Sequence, residues 1–177
     1  MKLLFFNLLT GFVVLSGCVS SHSKNDQAEA VKKYRQAQQS SLDDQTRIRL
    51  LSEAVKLYDE YPQAYLDRAL LFDKLNNFSQ AEKDYSSAIK TAPENNKPRY
   101  YFMRGRFYQE GKRDFKSAED DYNNACKLGE QEYDNEIPSY YYFRGVLFQT
   151  EIKSDKALED YNFWHGKIVV KNRLTSF

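Results

Sequence analysis

The side chains that most often perform chemistry are few in this chain. Its 177 residues include two cysteines, Cys18 and Cys126, and two histidines, His22 and His165. With so few thiol and imidazole ligands no zinc site is expected, and the seven glycines form no phosphate-binding loop. No GxSxG turn is present, and neither histidine can be placed near a nucleophile. We therefore expect no enzyme activity, no metal site and no cofactor.

Cys18 is the thiol whose surroundings indicate a modification. Residues 1–17 consist of a Met-Lys start, an apolar run and two small residues, which is typical of a secretory signal too short to remain as a membrane span. The sequence Leu-Ser-Gly-Cys at positions 15–18 resembles the lipobox of bacterial lipoproteins. The resemblance implies cleavage before Cys18, a diacylglycerol on its sulfur and usually a third acyl chain, such as palmitate, on its amine. The alternative is an ordinary signal peptide followed by a coincidental cysteine.

The residues after Cys18 bear on where such a lipoprotein would reside. Two acyl signals hold a protein stably on its membrane. Val19 stands where an inner-membrane lipoprotein of enterobacteria has aspartate, so the resemblance implies an outer-membrane anchor facing the periplasm. Residues 18–25 would form a lipidated flexible tether. Cys126, next to Ala125, would then have no disulfide partner within the chain and is expected to be a small core residue.

The charge balance excludes one large class of partner. The chain has 26 basic and 25 acidic residues, and Lys2 is the only charged residue in the signal segment, so the mature part is formally neutral. Nucleic-acid binding needs an excess of clustered basic residues, so we expect no nucleic-acid partner. Hydrophobic residues make up 41% of the chain and aromatic residues 15%, which is too much for a disordered protein.

Three of the four prolines mark a repeat of 36 and 40 residues. After Pro62, Pro98 and Pro138, a tyrosine, an arginine and a small residue recur at fixed spacings, and an alanine and an Asp-Tyr pair recur further on. Spacings of three and four predict helices, and a polar break divides each unit into two of them. The repeated residues are Tyr65, Tyr101 and Tyr141; Arg68, Arg104 and Arg144; Ala69, Gly105 and Gly145; Ala81, Ala118 and Ala157; Asp84-Tyr85, Asp121-Tyr122 and Asp160-Tyr161.

This pattern resembles the tetratricopeptide repeat, which has a period of about 34 residues. The resemblance implies an all-α fold, a short superhelix of antiparallel helix pairs. Three clear units cover residues 62–164, and a degenerate unit over 26–61 precedes them, with helices near 26–39 and 43–60. The second unit has one extra residue, expected in its turn, and the third has Trp164 where the family has a small residue. The alternative is an unrelated helical bundle.

The recurring arginine departs from the apolar residue that is commonest in the family. Because an aspartate recurs with it, the simplest interpretation is an ion pair between the two helices of each unit. The alternative is a ladder of arginines that binds anionic ligands. The predicted pairs are Arg68 with Asp84, Arg104 with Asp121, and Arg144 with Asp160.

In the family, the first helices of successive units line a groove that takes peptides or partner helices. Helical geometry predicts which side chains face it, and aromatic and arginine residues there would dominate binding. The alternative is that Phe102 and Tyr142 pack on neighbouring helices or on the tail. The predicted groove residues are Leu66, Phe102, Arg106, Gln109, Tyr142 and Phe143.

Residues 165–177 have no helical period and are rich in β-branched side chains, so we expect an irregular tail. It either folds back over the third unit or results from a truncation or frameshift. The chain as a whole is expected to be a periplasmic adaptor that binds a protein or peptide of the cell envelope and touches the membrane only through its lipid. The alternatives are a cell-wall-binding accessory of a peptidoglycan enzyme and a structural lipoprotein without a specific partner.

Overall fold

Eight α-helices follow one another in the ranges that the structure, a computed structural model, describes, which are residues 22–132 and 135–174. No strand occurs in these ranges. The helices are α1 (Lys24–Ala37), α2 (Asp44–Leu57), α3 (Pro62–Lys74), α4 (Phe78–Thr91), α5 (Lys97–Arg106), α6 (Phe115–Glu132), α7 (Ile137–Thr150) and α8 (Ser154–Leu174).

The helices form four consecutive hairpins. Helix α1 packs on α2, α3 on α4, α5 on α6 and α7 on α8, and each second helix also contacts the first helix of the next hairpin. Helices α1 and α2 correspond to the degenerate unit, and α3 to α8 to the three clear units. The prediction of an all-α array of helix pairs is confirmed. None of the helices within the described ranges is both long and apolar enough to cross a bilayer.

Local chemistry determines where the helices begin. Ser23 starts α1 with a capping box, because its side chain accepts a hydrogen bond from the Asp26 amide while Asp26 accepts one from the Ser23 amide. Asp43 caps α2 through the amide of Thr46. Pro62 is the first residue of α3, and α5 and α7 also carry proline in their first turn, where no amide donor is lost.

The extra residue of the second unit lies in the first helix and not in the turn. After α5 the chain forms a π-helix over Phe107–Lys112, whose wider winding takes up one residue while Phe107 and Tyr108 stay buried. Arg113 then adopts a left-handed conformation with φ of 55°. The prediction that the extra residue lies in the turn was wrong. The π-helix takes up this residue with both rings still buried, so the turn that follows keeps its length.

Two glycines let a first helix approach the tyrosine of its second helix. A methyl group added at Gly105 would lie 2.9 Å from two ring carbons of Tyr122, and one at Gly145 would lie 2.9 Å from the ring of Tyr161. Real Cβ atoms do not approach other heavy atoms so closely. These two positions therefore require glycine because of packing and not because of an unusual backbone conformation.

Gly105→Ala is expected to lower the free energy of unfolding by roughly 1–3 kcal/mol, since the added methyl group overlaps a fully buried ring. Gly166→Ala in exposed α8 has nothing within 4 Å of the new methyl group. It should raise stability by about 0.5–1 kcal/mol, the usual gain in a helix interior. Urea denaturation of both variants measures the difference. A stabilising effect at both glycines would contradict the packing that places Gly105 against Tyr122.

The end of the chain differs from its prediction. Residues 165–174 were expected to be irregular, but α8 runs unbroken from Ser154 to Leu174. Phe163 stacks on Tyr141 with ring centres 3.9 Å apart, and Trp164 lies 5.2 Å from the ring of Tyr142. β-Branched residues disfavour a helix only weakly. Here the contacts of Phe163 and Trp164 stabilise α8, and no proline follows that would end it.

The tether is also shorter than predicted. Ser23 and Lys24 already belong to the capped start of α1. The His22 ring lies 2.7 Å from the Asp59 carboxylate and packs edge-on against Tyr58. Residues 22–25, which the sequence assigned to a flexible tether, are therefore attached to the folded body. The predicted signal peptide of residues 1–17 and the lipid site at Cys18 lie outside the described residues.

Candidate functional site: the groove of the first helices

Three arginines of the first helices each bind an aspartate of the second helix in the same unit. Each guanidinium donates one hydrogen bond from Nε and one from Nη2 to the two carboxylate oxygens, at 2.6–2.9 Å. The aspartates are buried, with 1–3% of their surface exposed. The pairs are Arg68–Asp84, Arg104–Asp121 and Arg144–Asp160, the same pairs that the repeat pattern predicts.

The third nitrogen of each guanidinium reaches the preceding unit. In all three units Nη1 donates to a side-chain oxygen of the previous second helix at 2.9 Å. Each arginine therefore joins three helices and two units. These acceptors were not predicted from the sequence, although a polar residue stands two positions after Asp84 and again after Asp121. The acceptors are Ser52, Ser86 and Asn123.

The same arginines lie between aromatic rings of their own helix. The guanidinium carbon of Arg144 is 4.7 Å from the ring centre of Tyr141 and 5.8 Å from that of Phe148, and Arg68 and Arg104 have matching neighbours. The three arginine side chains are only 15–19% exposed. With three N–H groups already bonded, these residues hold the units together and do not form an open ladder for anions.

Burial affects both members of the central pair. It lowers the pKa of Arg104, but the hydrogen bonds and charge of Asp121 raise that pKa above its usual value. Burial also raises the pKa of the Asp121 carboxyl, and the opposing effect of Arg104 does not cancel it. Each charge is therefore stable in this dry position only because the other is present.

The first helices of successive units lie side by side and line a groove. Between α1, α3 and α5 this groove holds a cavity of about 300 Å³. Further along, the guanidinium of Arg106 on α5 lies 5.2 Å from the ring centre of Phe143 on α7, so the same surface continues into the last unit. The cavity is lined by Tyr34, Gln63, Leu66, Asp67, Asn96, Arg99 and Tyr100.

Two of the six predicted groove residues are buried instead. Leu66 and Phe102 are each only 7% exposed. The Phe102 ring is 5.1 Å from that of Tyr140 and 5.2 Å from that of Phe143, both on the next first helix. The prediction that Phe102 presents open binding surface is wrong, whereas Leu66 lines the groove cavity as predicted although little of its surface is exposed. That helix covers Phe102, which was the alternative the sequence left open for this ring.

The other four predicted residues have different surroundings. Gln109 accepts a hydrogen bond at 2.7 Å from the hydroxyl of buried Tyr122, so its carbonyl oxygen is already used. Arg106 has a 39% exposed side chain and pairs with Glu110 at 3.0 Å. Phe143 is half-buried beneath Arg106. Tyr142 is 38% exposed and is the most accessible aromatic ring of the predicted set.

Tyr142 belongs to an aromatic cluster at the last unit. Its ring centre lies 5.2 Å from Trp164, 5.5 Å from Phe143 and 6.0 Å from Tyr161. Trp164 occupies the repeat position that is a small buried alanine, Ala88, in the first clear unit. The large indole fills space beside Tyr142 and enlarges the aromatic surface at this end of the groove.

A larger cavity lies outside the groove, at the edge where a second helix ends and the next first helix begins, which we call the inter-unit edge. It measures about 700 Å³ and is open to solvent. This cavity was not predicted from the sequence, because it forms between the loop that joins α2 to α3 and the end of α4. Its lining includes Tyr58, Asp59, Tyr61, Tyr65, Lys90 and Thr91.

The described residues offer little for metal or thiol chemistry. No group of three or more His, Cys, Asp or Glu side chains within residues 22–132 and 135–174 could hold a metal ion. Cys126 is 2% exposed, and burial raises the pKa of its thiol to about 12. The thiol is therefore protonated and packed at neutral pH, as expected of a small core residue.

Comparison with known proteins agrees with this geometry. Residues 62–95, which span α3 and α4, match the family model of the tetratricopeptide repeat. The fold is that of a tetratricopeptide-repeat array. The match covers one unit, and the other units are assigned from the repeated arginine forks and helix pairs. No protein with a curated description matches the sequence significantly.

Solved structures with a similar fold include MamA from Desulfovibrio magneticus RS-1, as the ArsTM double mutant. It is 18% identical, with a TM-score of 0.67, and the match covers 85% of this chain and 79% of MamA. The human IFIT1 dimer with PPP-AAAA is 19% identical with a TM-score of 0.45, and the match covers 81% of this chain and 39% of IFIT1. At these identities the likeness to MamA shows the fold alone.

Proposed function

We propose that this protein is a non-enzymatic adaptor of the cell envelope that binds a protein or peptide partner along the groove of its first helices. The observation that carries the proposal is the groove itself, because consecutive units expose Arg99, Arg106 and Tyr142 on one surface. Arginine and tyrosine, together with tryptophan, are enriched among the few residues that carry most of the binding energy at interfaces. The tetratricopeptide-repeat fold supports binding without chemistry.

The envelope location is supported by the sequence before the folded part. Leu-Ser-Gly-Cys at positions 15–18 follows an apolar signal, and Val19 takes the place of the aspartate that retains lipoproteins in the inner membrane. We propose that Cys18 carries the lipid and that the helical array faces the periplasm from the outer membrane. Cys18→Ser is then expected to release the protein from that membrane, whereas Val19→Asp should move it to the inner membrane.

The binding surface can be tested by photocrosslinking in living cells. A photoreactive amino acid replaces Arg99 or Tyr142 in the groove, or, as matched controls, the exposed residues Lys83 and Lys127 on second helices. We expect one protein adduct of the same mass from both groove positions and none from the controls. Adducts formed only at Lys83 or Lys127 would contradict the groove, and no protein adduct at any position would contradict the adaptor.

The second candidate is a cell-wall-binding accessory of a peptidoglycan enzyme. The observation that favours it is the exposed Tyr142 beside Trp164, since aromatic faces also stack on sugar rings. Retention of the purified protein on peptidoglycan without other proteins, lost in Tyr142→Ala, would support this function. If the protein is an adaptor, we expect that neither the unchanged protein nor Tyr142→Ala is retained on peptidoglycan.

A further inference from the structure

The start of the folded part is attached to one edge of the molecule. The Nε2 atom of His22 lies 2.7 Å from Oδ1 of Asp59, in the loop between α2 and α3. The His22 side chain is only 18% exposed and packs against Tyr58, 5.4 Å between ring centres. Ser23 directly begins α1. The chain therefore leaves the folded body at the inter-unit edge, beside the 700 Å³ cavity.

Covalent geometry then limits how far the lipid can be from this edge. Four residue steps separate His22 from Cys18, and a fully extended chain spans at most about 3.6 Å per residue, or roughly 14 Å in all. The acyl chains of a modified cysteine lie in the hydrocarbon layer. The inter-unit edge is thus restricted to the vicinity of the lipid headgroups, if Cys18 is the anchor as proposed above.

The opposite edge of the molecule lies farther from the proposed lipid. It carries the turns between the first and second helices of each unit, which we call the turn edge, and includes Ser79 and Ser154 at the starts of α4 and α8. Helices of 13 or 14 residues separate the two edges, about 20 Å at 1.5 Å per residue. An exposed isoleucine, Ile152, lies on the turn edge, but no chain end of the described body leads from there toward Cys18.

The side chains of the inter-unit edge suit a headgroup layer. Tyr58 and Tyr61 are half-buried and carry a polar hydroxyl on an apolar ring, a combination that favours the membrane interface. Around the cavity, Asp59, Glu60 and Lys90 give this edge mixed charge, so its contact with a membrane is not expected to require anionic lipid.

We propose that the inter-unit edge, with Tyr58, Tyr61 and Lys90, faces the phospholipid headgroups of the membrane that holds this chain's own lipid. This inference rests on the proposed anchor at Cys18. The first helices then stand upright on the membrane, the groove runs parallel to its surface, and the turn edge points into the periplasm. The capped start of α1 at Ser23 fixes the exit of the chain at this edge. His22 is the positioning residue, because its contact with Asp59 holds one further residue there and shortens the free segment that leads to Cys18.

Depth-dependent fluorescence quenching tests this orientation. The full-length lipidated protein, carrying Cys126→Ala, is reconstituted in phosphatidylcholine vesicles with a fluorophore at one new cysteine. Glu60→Cys and Asn95→Cys report on the inter-unit edge, and Ser79→Cys and Ser154→Cys on the turn edge, all at exposed positions. The quencher is a lipid with a nitroxide on its headgroup.

We expect several-fold stronger quenching at positions 60 and 95 than at 79 and 154, and a smaller difference when His22→Ala is added. Equal quenching at all four positions, or stronger quenching at 79 and 154, overturns the orientation while leaving the anchor intact. Mass spectrometry and vesicle flotation establish the anchor separately. A protein without lipid on Cys18 that does not float overturns both the anchor and the orientation.

Discussion

Asp121→Asn is expected to lower the free energy of unfolding by roughly 3–5 kcal/mol, the usual cost of removing one member of a buried ion pair. Asp121 is 3% exposed, and its two carboxylate oxygens accept hydrogen bonds from Arg104 at 2.7 and 2.9 Å. The amide has only one oxygen and turns an NH₂ group toward a guanidinium donor. Arg104 would then remain charged in a position with little access to water.

The neighbouring aspartate provides the matched control. Asp120 forms an ion pair with Lys116 at 2.6 Å, but both side chains are more than half exposed. Asp120→Asn is therefore expected to change stability by less than about 0.5 kcal/mol. Chemical denaturation of the two variants measures the difference between adjacent residues of one helix. Similar small losses would mean that the Arg104 fork is hydrated and does not hold the units together.

A double substitution separates the cost of an unpaired charge from the value of the pair. Replacing both Arg104 and Asp121 by leucine or methionine removes the two charges together. Apolar replacements of buried pairs are often close to neutral. We expect the double variant to be more stable than Asp121→Asn alone, although Ser86 loses its donor. A double variant less stable than Asp121→Asn would show that the Arg104–Asp121 ion pair stabilises the fold by more than the cost of burying its two charges.

Phe102→Ala is expected to lower the free energy of unfolding by roughly 3–5 kcal/mol, through lost burial and the cavity left behind. The ring contacts Tyr140 and Phe143 on α7 as well as Tyr122 on α6, so the substitution loosens the junction between two units. In a repeat array each unit depends on its neighbours. The loss should therefore be accompanied by weaker amide protection in α7.

Tyr142→Ala is the matched control for Phe102, since it removes an aromatic ring from the next first helix. Its ring is 38% exposed, so we expect a loss of about 1 kcal/mol. Thermal or urea denaturation distinguishes the two. If Phe102→Ala cost no more than Tyr142→Ala, the ring would lie on the open groove, as the sequence alone predicts.

The arginine forks illustrate what repetition in a single sequence can reveal. Arg68, Arg104 and Arg144 recur with an aspartate at a fixed place, and two residue types that recur together on paired helices point to a direct contact. The prolines likewise marked where the three repeated units begin, because proline is tolerated in the first turn of a helix and this effect acts within a few residues of the chain.

The exposure of the groove residues was harder to predict from the sequence than the ion pairs. Helical spacing assigned Phe102 and Tyr142 to the same kind of face, yet one is buried and the other is exposed. The difference comes from the neighbouring unit, since α7 covers Phe102, whereas the described neighbours of Tyr142 from another helix lie on α8. Spacing gives the direction of a side chain from its own helix and contains no information about which other helix lies there.

The sequence by itself determined the helix pairs, their order and the three ion pairs, since these follow from local spacing and from residues that recur together. Only the tertiary structure decided which groove residues are accessible, where the extra residue of the second unit is absorbed, and that His22 is held at Asp59. These features depend on contacts between residues far apart in the chain, where burying a ring or filling a gap outweighs local preference.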